Sequence, residues 1–470
     1  MTLAAAPPLT PDLCILGAGA GALALATAAA AMGVPVVLIE PLAMGADRSL
    51  PVHALIAAAR AAHAVRTSAR FGVTASEPRI VWLNVRARIR EVVAAVAPNG
   101  AQARLEAMNV RVIRAAAHFV SPTRIEAGGV AVEARRFVIA PEAEPAAPIA
   151  PGLEGLSCLS EATLLAQDVL PRRLIILGGA PRAAELAQAM ARLGVGVELV
   201  EPARLLPGED PHQAAIVADA LTRDGVVLHE DAHVTHAQTT PEGGVSLLIE
   251  GSMGALTLDA SQVLAAAGLR APIDDLGLKA AGVAFTAQGV LVDAGLRTTN
   301  RRVYALTAAS REAAVRQAGL VLRSALLRLP VRDDATRTPR LTATDPELAA
   351  VGLTEAEARA RYGFVRVLRW PFAATDRAQA DGDGRGHVML VVARGGRILG
   401  ASIVGAQAGE LIALWGLAIT RKQRLSAIAG LAMPYPVLAA ASQQAAMEAY
   451  MGLLRNPWLG RALGLLRRLG

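Results

Sequence analysis

The run from Leu13 to Ile39 constrains this chain most, because it contains no charged residue and is long enough to cross a bilayer. Its glycines decide how it folds. Gly17, Gly19, Gly21 and Gly33, with Pro35, interrupt it in a pattern. Leu13–Leu16 reads as a short buried strand, the glycine segment 17–22 as a tight turn, and the alanine-rich stretch to about Met32 as a helix. Residues 33–39 close the unit as a second strand that ends at Glu40. A βαβ unit with an acid about 20 positions beyond its glycines is a dinucleotide-binding pattern. Gly17 allows the turn, and Gly19 lets the backbone approach a pyrophosphate at the positive end of the helix. Ala22 stands in for the third glycine, where helix and strand pack closely, and Glu40 is the ribose acceptor. This reading displaces the membrane span. A signal peptide is also disfavoured, since Met1–Pro11 has no basic residue.

A second unit of the same kind starts about 160 residues later, a spacing too long for a solenoid repeat. Arg173–Leu177 reads as a strand, Gly178-Gly179-Ala180 as the turn, Ala184–Leu193 as the helix, and Val195–Val200 as a strand ending at Glu201. Ala180 occupies the position where a backbone must approach the pyrophosphate, so its Cβ obstructs. Glu201 favours NADH over NADPH. Phe137–Ala140 is a strand that runs into a proline-rich crossing, and Val263–Gly268 and Val303–Leu306 return as further strands. From Thr344 the texture changes to an α+β unit. Thr354 and Glu357 form a capping box, and apolar strands at 365–370, 388–392 and 398–404 surround a Gly395-Gly396 hairpin turn.

Composition sets the remaining bounds. A chain of 470 residues with 53% hydrophobic and 19% charged side chains is globular, with two to four domains. Two cysteines, Cys14 and Cys158, exclude a disulfide scaffold, a four-Cys zinc site and an all-Cys iron–sulfur cluster; a reducing, cytoplasmic setting fits. A net charge of +7 with four Trp, four Tyr and six Phe gives little support to nucleic-acid binding.

With these parts in order, the chain resembles the pyridine nucleotide–disulfide oxidoreductases, and most of all their mercuric-reductase-like branch. The residues that carry the resemblance are the segment Thr344–Glu355, the segment Arg369–Ala378, Gly396–Gly405, and Ala408-Gly409-Glu410. The resemblance implies an α/β fold of two Rossmann-like dinucleotide-binding domains plus a C-terminal α+β dimerisation domain. It divides the chain into 1–150 with 263–335 for FAD, 151–262 for NADH, 336–450 for dimerisation, and a tail, 451–470. It implies a homodimer, with FAD at Gly17, Gly19, Gly21, Ala22 and Glu40, and NADH at Gly178, Gly179 and Glu201.

The family's working residues depart at several positions. Where the family has a redox cysteine pair followed by lysine, this chain has Ser49 and His53. Serine forms neither a disulfide nor a thiolate donor to flavin. The family's Thr-Gly beside the flavin is Pro141-Glu142, its Gly-Asp is Thr307-Ala308, and its His-Pro-x-x-x-Glu is Tyr435-Pro436 with Ala440. Glu185 matches a glutamate that pairs with the redox lysine, so a Glu185–His53 contact is one option and a plain helix-face carboxylate the other. The expectation is a flavoprotein that passes electrons from NADH to a small non-thiol acceptor. The alternative is an inactive pseudoenzyme acting as a dimeric scaffold.

Other features have blander readings. His229, Glu230, Asp231, His233 and His236 suit neither one strand face nor one helix face, so they read as exposed residues and no metal is expected. No nucleophile elbow surrounds Ser49, which argues against hydrolysis. Residues 453–470 carry four arginines and no acid, with Trp458, Ala462, Leu465 and Leu469 on one helical face. Such a tail suits either peripheral membrane contact or docking on the dimer.

Overall fold

The computed structural model describes residues 7–40, 49–100, 102–146, 151–252, 254–266, 268–308, 310–454 and 466–467. The first elements are β1 (Leu13–Leu16), α1 (Ala20–Ala31), β2 (Val36–Ile39), α2 (Ser49–Thr67), β3 (Val110–Ile113) and β4 (Arg136–Ile139). There follow β5 (Arg173–Leu177), α3 (Pro181–Arg192), β6 (Gly196–Val200), α4 (Pro211–Arg223), β7 (Val226–His229) and β8 (Gln262–Ala265). Then come β9 (Val303–Ala305) and α5 (Arg311–Ala325). The C-terminal elements are β10 (Arg340–Thr342), β11 (Glu347–Gly352), α6 (Glu355–Tyr362), β12 (Arg366–Pro371), β13 (His387–Val392), β14 (Ile398–Gly405), α7 (Ala408–Thr420) and α8 (Ala440–Leu454).

Three main sheets organise them. The first is parallel, in the order β9-β4-β1-β2-β3, with Leu13 opposite both Val36 and Arg136. A parallel sheet covered on both faces needs strands that are apolar throughout, which is why the uncharged run folds inside the protein. Leu13 and Ile15 enter one core cluster, while Cys14 and Leu16 enter the cluster on the opposite face. The second sheet, β7-β6-β5-β8, is parallel as well. The third, β10-β11-β14-β13-β12, is antiparallel, and α7 and α8 cover it. Trp415 on α7 is fully buried and donates through Nε1 to Ser442 Oγ of α8 at 3.1 Å.

Three expectations need correction. Strand β8 pairs with β5, so the return crossing expected at residue 263 lies beyond it. Helix α3 starts at Pro181 instead of Ala184, because proline is preorganised for the first helical position. The last helix starts at Ala440, not Val437. Two three-stranded antiparallel sheets, within 117–132 and 233–260, have no counterpart in the sequence reading.

Candidate functional site

The first glycine turn joins β1 to α1, and its three glycines have three different reasons. Gly17 has φ +113°, and a Cβ there would stand 2.1 Å from Ala140 O. The turn and the close approach of β4 therefore demand glycine at 17. Gly21 sits where α1 packs on α5, and a Cβ would meet Leu306 Cδ1 at 2.7 Å and Ala314 O at 2.8 Å. Gly19 is different. It caps α1 with extended backbone (φ −64°, ψ 172°), and among the described residues the nearest atoms to a Cβ there would be those of Glu142, at ordinary contact distances of 3.6–3.9 Å. The packing of the described residues does not require glycine at 19. Ala22 is buried in α1.

Glu40 ends β2 and is buried, and its Oε2 accepts the Ala18 N–H at 2.8 Å. The strand-end acid is thereby fixed against the turn. No side chain caps α1 at Gly19, and its first turn carries no acid. The N–H groups and dipole of that turn favour an anion. Gly17, Gly19, Glu40 and the start of α1 thus fit the adenosine diphosphate half of a dinucleotide.

The loop after β9 is arranged differently. Gln317 Oε1 accepts from Thr307 N at 2.9 Å and from Ala308 N at 3.1 Å. Gln317 is buried, and its amide donates to Asp333 Oδ2 at 2.8 Å. Ser310 caps α5 by accepting from Ala313 N at 3.3 Å. These donors are engaged within the protein, and no carboxylate stands at 307 or 308.

The second turn copies the first with one methyl added. Gly178 has φ +119°. Ala180 caps α3 at φ −68°, ψ 164°, nearly the backbone of Gly19, but carries a Cβ. Pro181 follows and has no N–H to offer an anion. Gly179 is glycine because Glu201 packs on it, since a Cβ there would be 2.6 Å from Glu201 Cγ. Glu201 itself accepts from Ala203 N at 3.1 Å.

Cys14 is fully buried inside β1, and burial pushes its thiol far above the usual range. Burial also raises Cys158. Ser49 opens α2, and residues 41–48, where the first redox cysteine would be sought, lie outside the described residues.

Glu185 corrects both options read for it. It does not reach His53, which is exposed on α2. It is buried, accepts the Ala343 N–H at 2.8 Å, and takes Arg182 Nη1 at 2.8 Å. Around it, Gln188 and Arg192 bind Asp224 and Asp345, which tie α3 to the loop ahead of β11. In the histidine cluster, Asp231, His233 and His236 are exposed as expected, while His229 and Glu230 serve the fold. His229 is largely buried rather than exposed and shares a 2.9 Å hydrogen bond with Glu198, while Glu230 accepts from Leu205 N at 2.7 Å. Tyr435, in the family's histidine position, is 81% exposed and donates to Asp376 Oδ2 at 3.0 Å. Among the described residues, no helix is long and apolar enough to cross a membrane.

Comparison with known proteins agrees with this architecture. Residues 11–318 match the pyridine nucleotide-disulphide oxidoreductase family, and residues 338–446 match its dimerisation domain, which supports a homodimer. The chain is 31% identical over 452 residues to a mercuric reductase of Streptomyces lividans, covering 93% of this chain and 95% of that one. It is 30% identical over 456 residues to a dihydrolipoyl dehydrogenase of Thermus scotoductus, covering 93% and 97%. In fold it matches LpdA from Mycobacterium tuberculosis with a TM-score of 0.84 at 24% identity, over 94% of this chain and 99% of that one. With two nucleotide-type sheets, a matching dimerisation domain and relatives that span nearly its whole length, the chain belongs to the pyridine nucleotide-disulphide oxidoreductases, a family of FAD-containing, NAD(P)H-dependent flavoproteins.

Proposed function

We propose that this chain holds FAD in its first glycine turn and passes electrons from NAD(P)H to a non-thiol acceptor, such as a quinone or dioxygen, without reducing disulfides. Gly19 carries the reading. Fold geometry accounts for Gly17 and Gly21, whereas no close packing among the described residues demands glycine at 19, at the start of α1, and a dinucleotide approaching the backbone there would. When bound, FAD supplies two-electron exchange between the nicotinamide and the acceptor. The chain's own part is binding and orientation. The first-turn N–H groups of α1 take the diphosphate, and Glu40, steadied by Ala18, takes the ribose. A disulfide substrate is disfavoured because serine stands at 49 and the Cys14 thiol is buried.

The test is turnover. Full-length protein reconstituted with FAD is expected to oxidise NADH with menadione or ferricyanide, and to leave lipoamide and glutathione disulfide untouched. Reduction of either disulfide contradicts the proposal.

A second reading, a dimeric scaffold without catalysis, draws support from Ala180 and Pro181 in the second turn. It expects FAD-loaded protein to oxidise no NADH with any acceptor. In either form, residues 453–470 are proposed to touch anionic membrane surfaces; 455–465 and 468–470 lie outside the described residues. Flotation with anionic liposomes is expected to weaken on removal of 453–470, and unchanged flotation rejects that contact.

A further inference from the structure

We infer that the dimerisation domain carries a folded cationic face, built on Arg361, Arg366, Arg394, Arg397 and Arg424, that docks on an anionic lipid surface. The inference goes beyond the tail contact proposed above, because each of these residues lies before the tail, in folded structure.

The third sheet and its helices bring the face together. The turn between β13 and β14 carries Arg394 and Arg397 on either side of Gly395-Gly396. Arg397 forms an isolated antiparallel bridge with Arg424, just beyond the end of α7. Residues directly opposite in such a bridge are side-chain neighbours, so two like charges are set against each other. Arg421 and Lys422 precede Arg424 in the same exposed segment. On the other side, the Arg394 guanidinium lies 5.5 Å from the ring centre of Phe364. Those of Arg361 and Arg397 lie 5.6 and 5.8 Å from the ring centre of Tyr362. Arg366 and Arg394, with Phe364, Leu425, Ala449 and Tyr450, line a cavity of about 250 Å³ whose wall contains no acidic residue.

All of these cations are exposed, and among the described residues none pairs with a carboxylate. Glu355, at the far end of α6, is taken by Arg359 at 2.7 Å and Arg369 at 3.6 Å. A face that holds like charges together without acids between them is unfavourable alone, and an external anionic surface relieves it. The aromatic rings point to lipid as that surface. Phe364 is 58% exposed and Tyr362 37%, and rings set among cations suit the headgroup level of a bilayer. Ala449 and Tyr450 lie near the end of α8, so the basic segment after Leu454 is attached about one helical turn from the cavity. A basic cluster continuous with a basic amphipathic segment matches an anionic leaflet. A two-fold contact is self-complementary, whereas a patch of one sign is not, which argues against use of this face between the two subunits.

The experiment is flotation of the full-length chain with vesicles of phosphatidylcholine alone or mixed with phosphatidylglycerol, at low and high salt. Wild type is compared with the triple variant Arg394→Glu, Arg397→Glu, Arg424→Glu, and with glutamine at the same three positions. The control reverses three exposed arginines elsewhere, Arg223→Glu, Arg301→Glu, Arg302→Glu. Thermal melts confirm that each variant is folded. Wild type is expected to float only with phosphatidylglycerol and to be released by salt. The glutamate triple is expected to bind at least about tenfold more weakly, the glutamine triple to fall between, and the control to match wild type. Equal flotation of wild type and the glutamate triple overturns the inference, and removal of residues 453–470 then judges the tail contact separately. Loss in the control as large as in the glutamate triple also overturns it, since net charge and not this face would then decide. So does a face variant that loses binding to a DNA duplex while its flotation is unchanged. If wild type floats with neither vesicle, the inference and the tail contact fail together.

Discussion

The carboxylate of Glu185, on the helix that follows the second glycine turn, accepts the backbone N–H of Ala343 at 2.8 Å, in the connection between β10 and β11 of the third sheet. Both groups are buried, and Arg182 neutralises the second carboxylate oxygen at 2.8 Å. Removing the acceptor leaves a buried amide without a partner, which costs about 1–3 kcal/mol. Glu185→Ala is therefore expected to lower the unfolding free energy by that amount, and Glu185→Gln, which keeps an acceptor, by less than half of it. Equal losses in urea titrations of the two variants would contradict the assignment.

Arg192 is the deeper anchor. Its guanidinium is 5% exposed and donates at 2.8 Å to both Asp224 and Asp345. Truncating one member of a buried ion pair strands the others, so Arg192→Ala is expected to cost about 3–5 kcal/mol. Arg337→Ala, at an exposed pair 3.0 Å from Asp334, is expected to cost about 1 kcal/mol at most. The two melts, taken side by side, check the contrast.

The same junction gives the fold its pH dependence. Burial and the nearby Arg192 hold His63 below the ordinary histidine range, against the opposing pull of Asp224 and Asp345. A histidine with a lowered folded value binds its proton more weakly than in the unfolded chain. Stability is thus full above about pH 6.5 and falls as the pH drops below it. Asp345 follows at lower pH. Burial pushes it up, but the charge and hydrogen bond of Arg192 outweigh that and hold it low, so its contribution is lost below about pH 4. His387, lowered by burial and Arg369, acts in the first window with His63. His63→Asn is expected to flatten part of the slope between about pH 5 and 7 and leave the slope below about pH 4 unchanged. An unaltered profile would contradict this.

Much of the architecture was legible because two alternating demands, apolar strands and patterned glycines, are written locally. Within the run Leu13–Ile39, β1 matches its expected span and β2 starts three residues later than expected, and every member of both strands is buried. Helix α3 was read late because proline signals a break unless it stands at the first helical position, as Pro181 does. The sheet within 233–260 was missed because its strands mix His, Thr and Gln into a weak alternation, with exposed residues on β-strand faces that sequence alone cannot orient. Site geometry was less legible for the same reason. The family resemblance puts Glu142 where relatives have a glycine, but its contact with Gly19 depends on pairing between β1 and β4. Likewise, Glu185 and Ala343 meet only through the packing of distant segments.

The second turn offers a gain-of-function check. Ala180 and Gly19 share their backbone angles and differ by one methyl group. Ala180→Gly removes the obstruction, and glycine is a better helix cap than alanine, so stability is expected to hold or rise slightly. NADH affinity, followed by the change in its fluorescence on titration, is expected to improve about tenfold, or about 1.4 kcal/mol. No improvement would place the block elsewhere, with Pro181 as the nearest cause.

The most direct measurement is an FAD titration of wild type, Gly17→Ala and Gly19→Ala, with a thermal melt of each. Gly17→Ala is expected to lose about 3 kcal/mol of stability or more, because φ +113° and the 2.1 Å approach to Ala140 O both reject a side chain. Gly19→Ala is expected to melt within about 1 kcal/mol of wild type, yet bind FAD at least about tenfold more weakly. Wild type is expected to saturate at one flavin per chain. Failure of wild type to take up FAD, or undiminished binding by folded Gly19→Ala, would contradict the account.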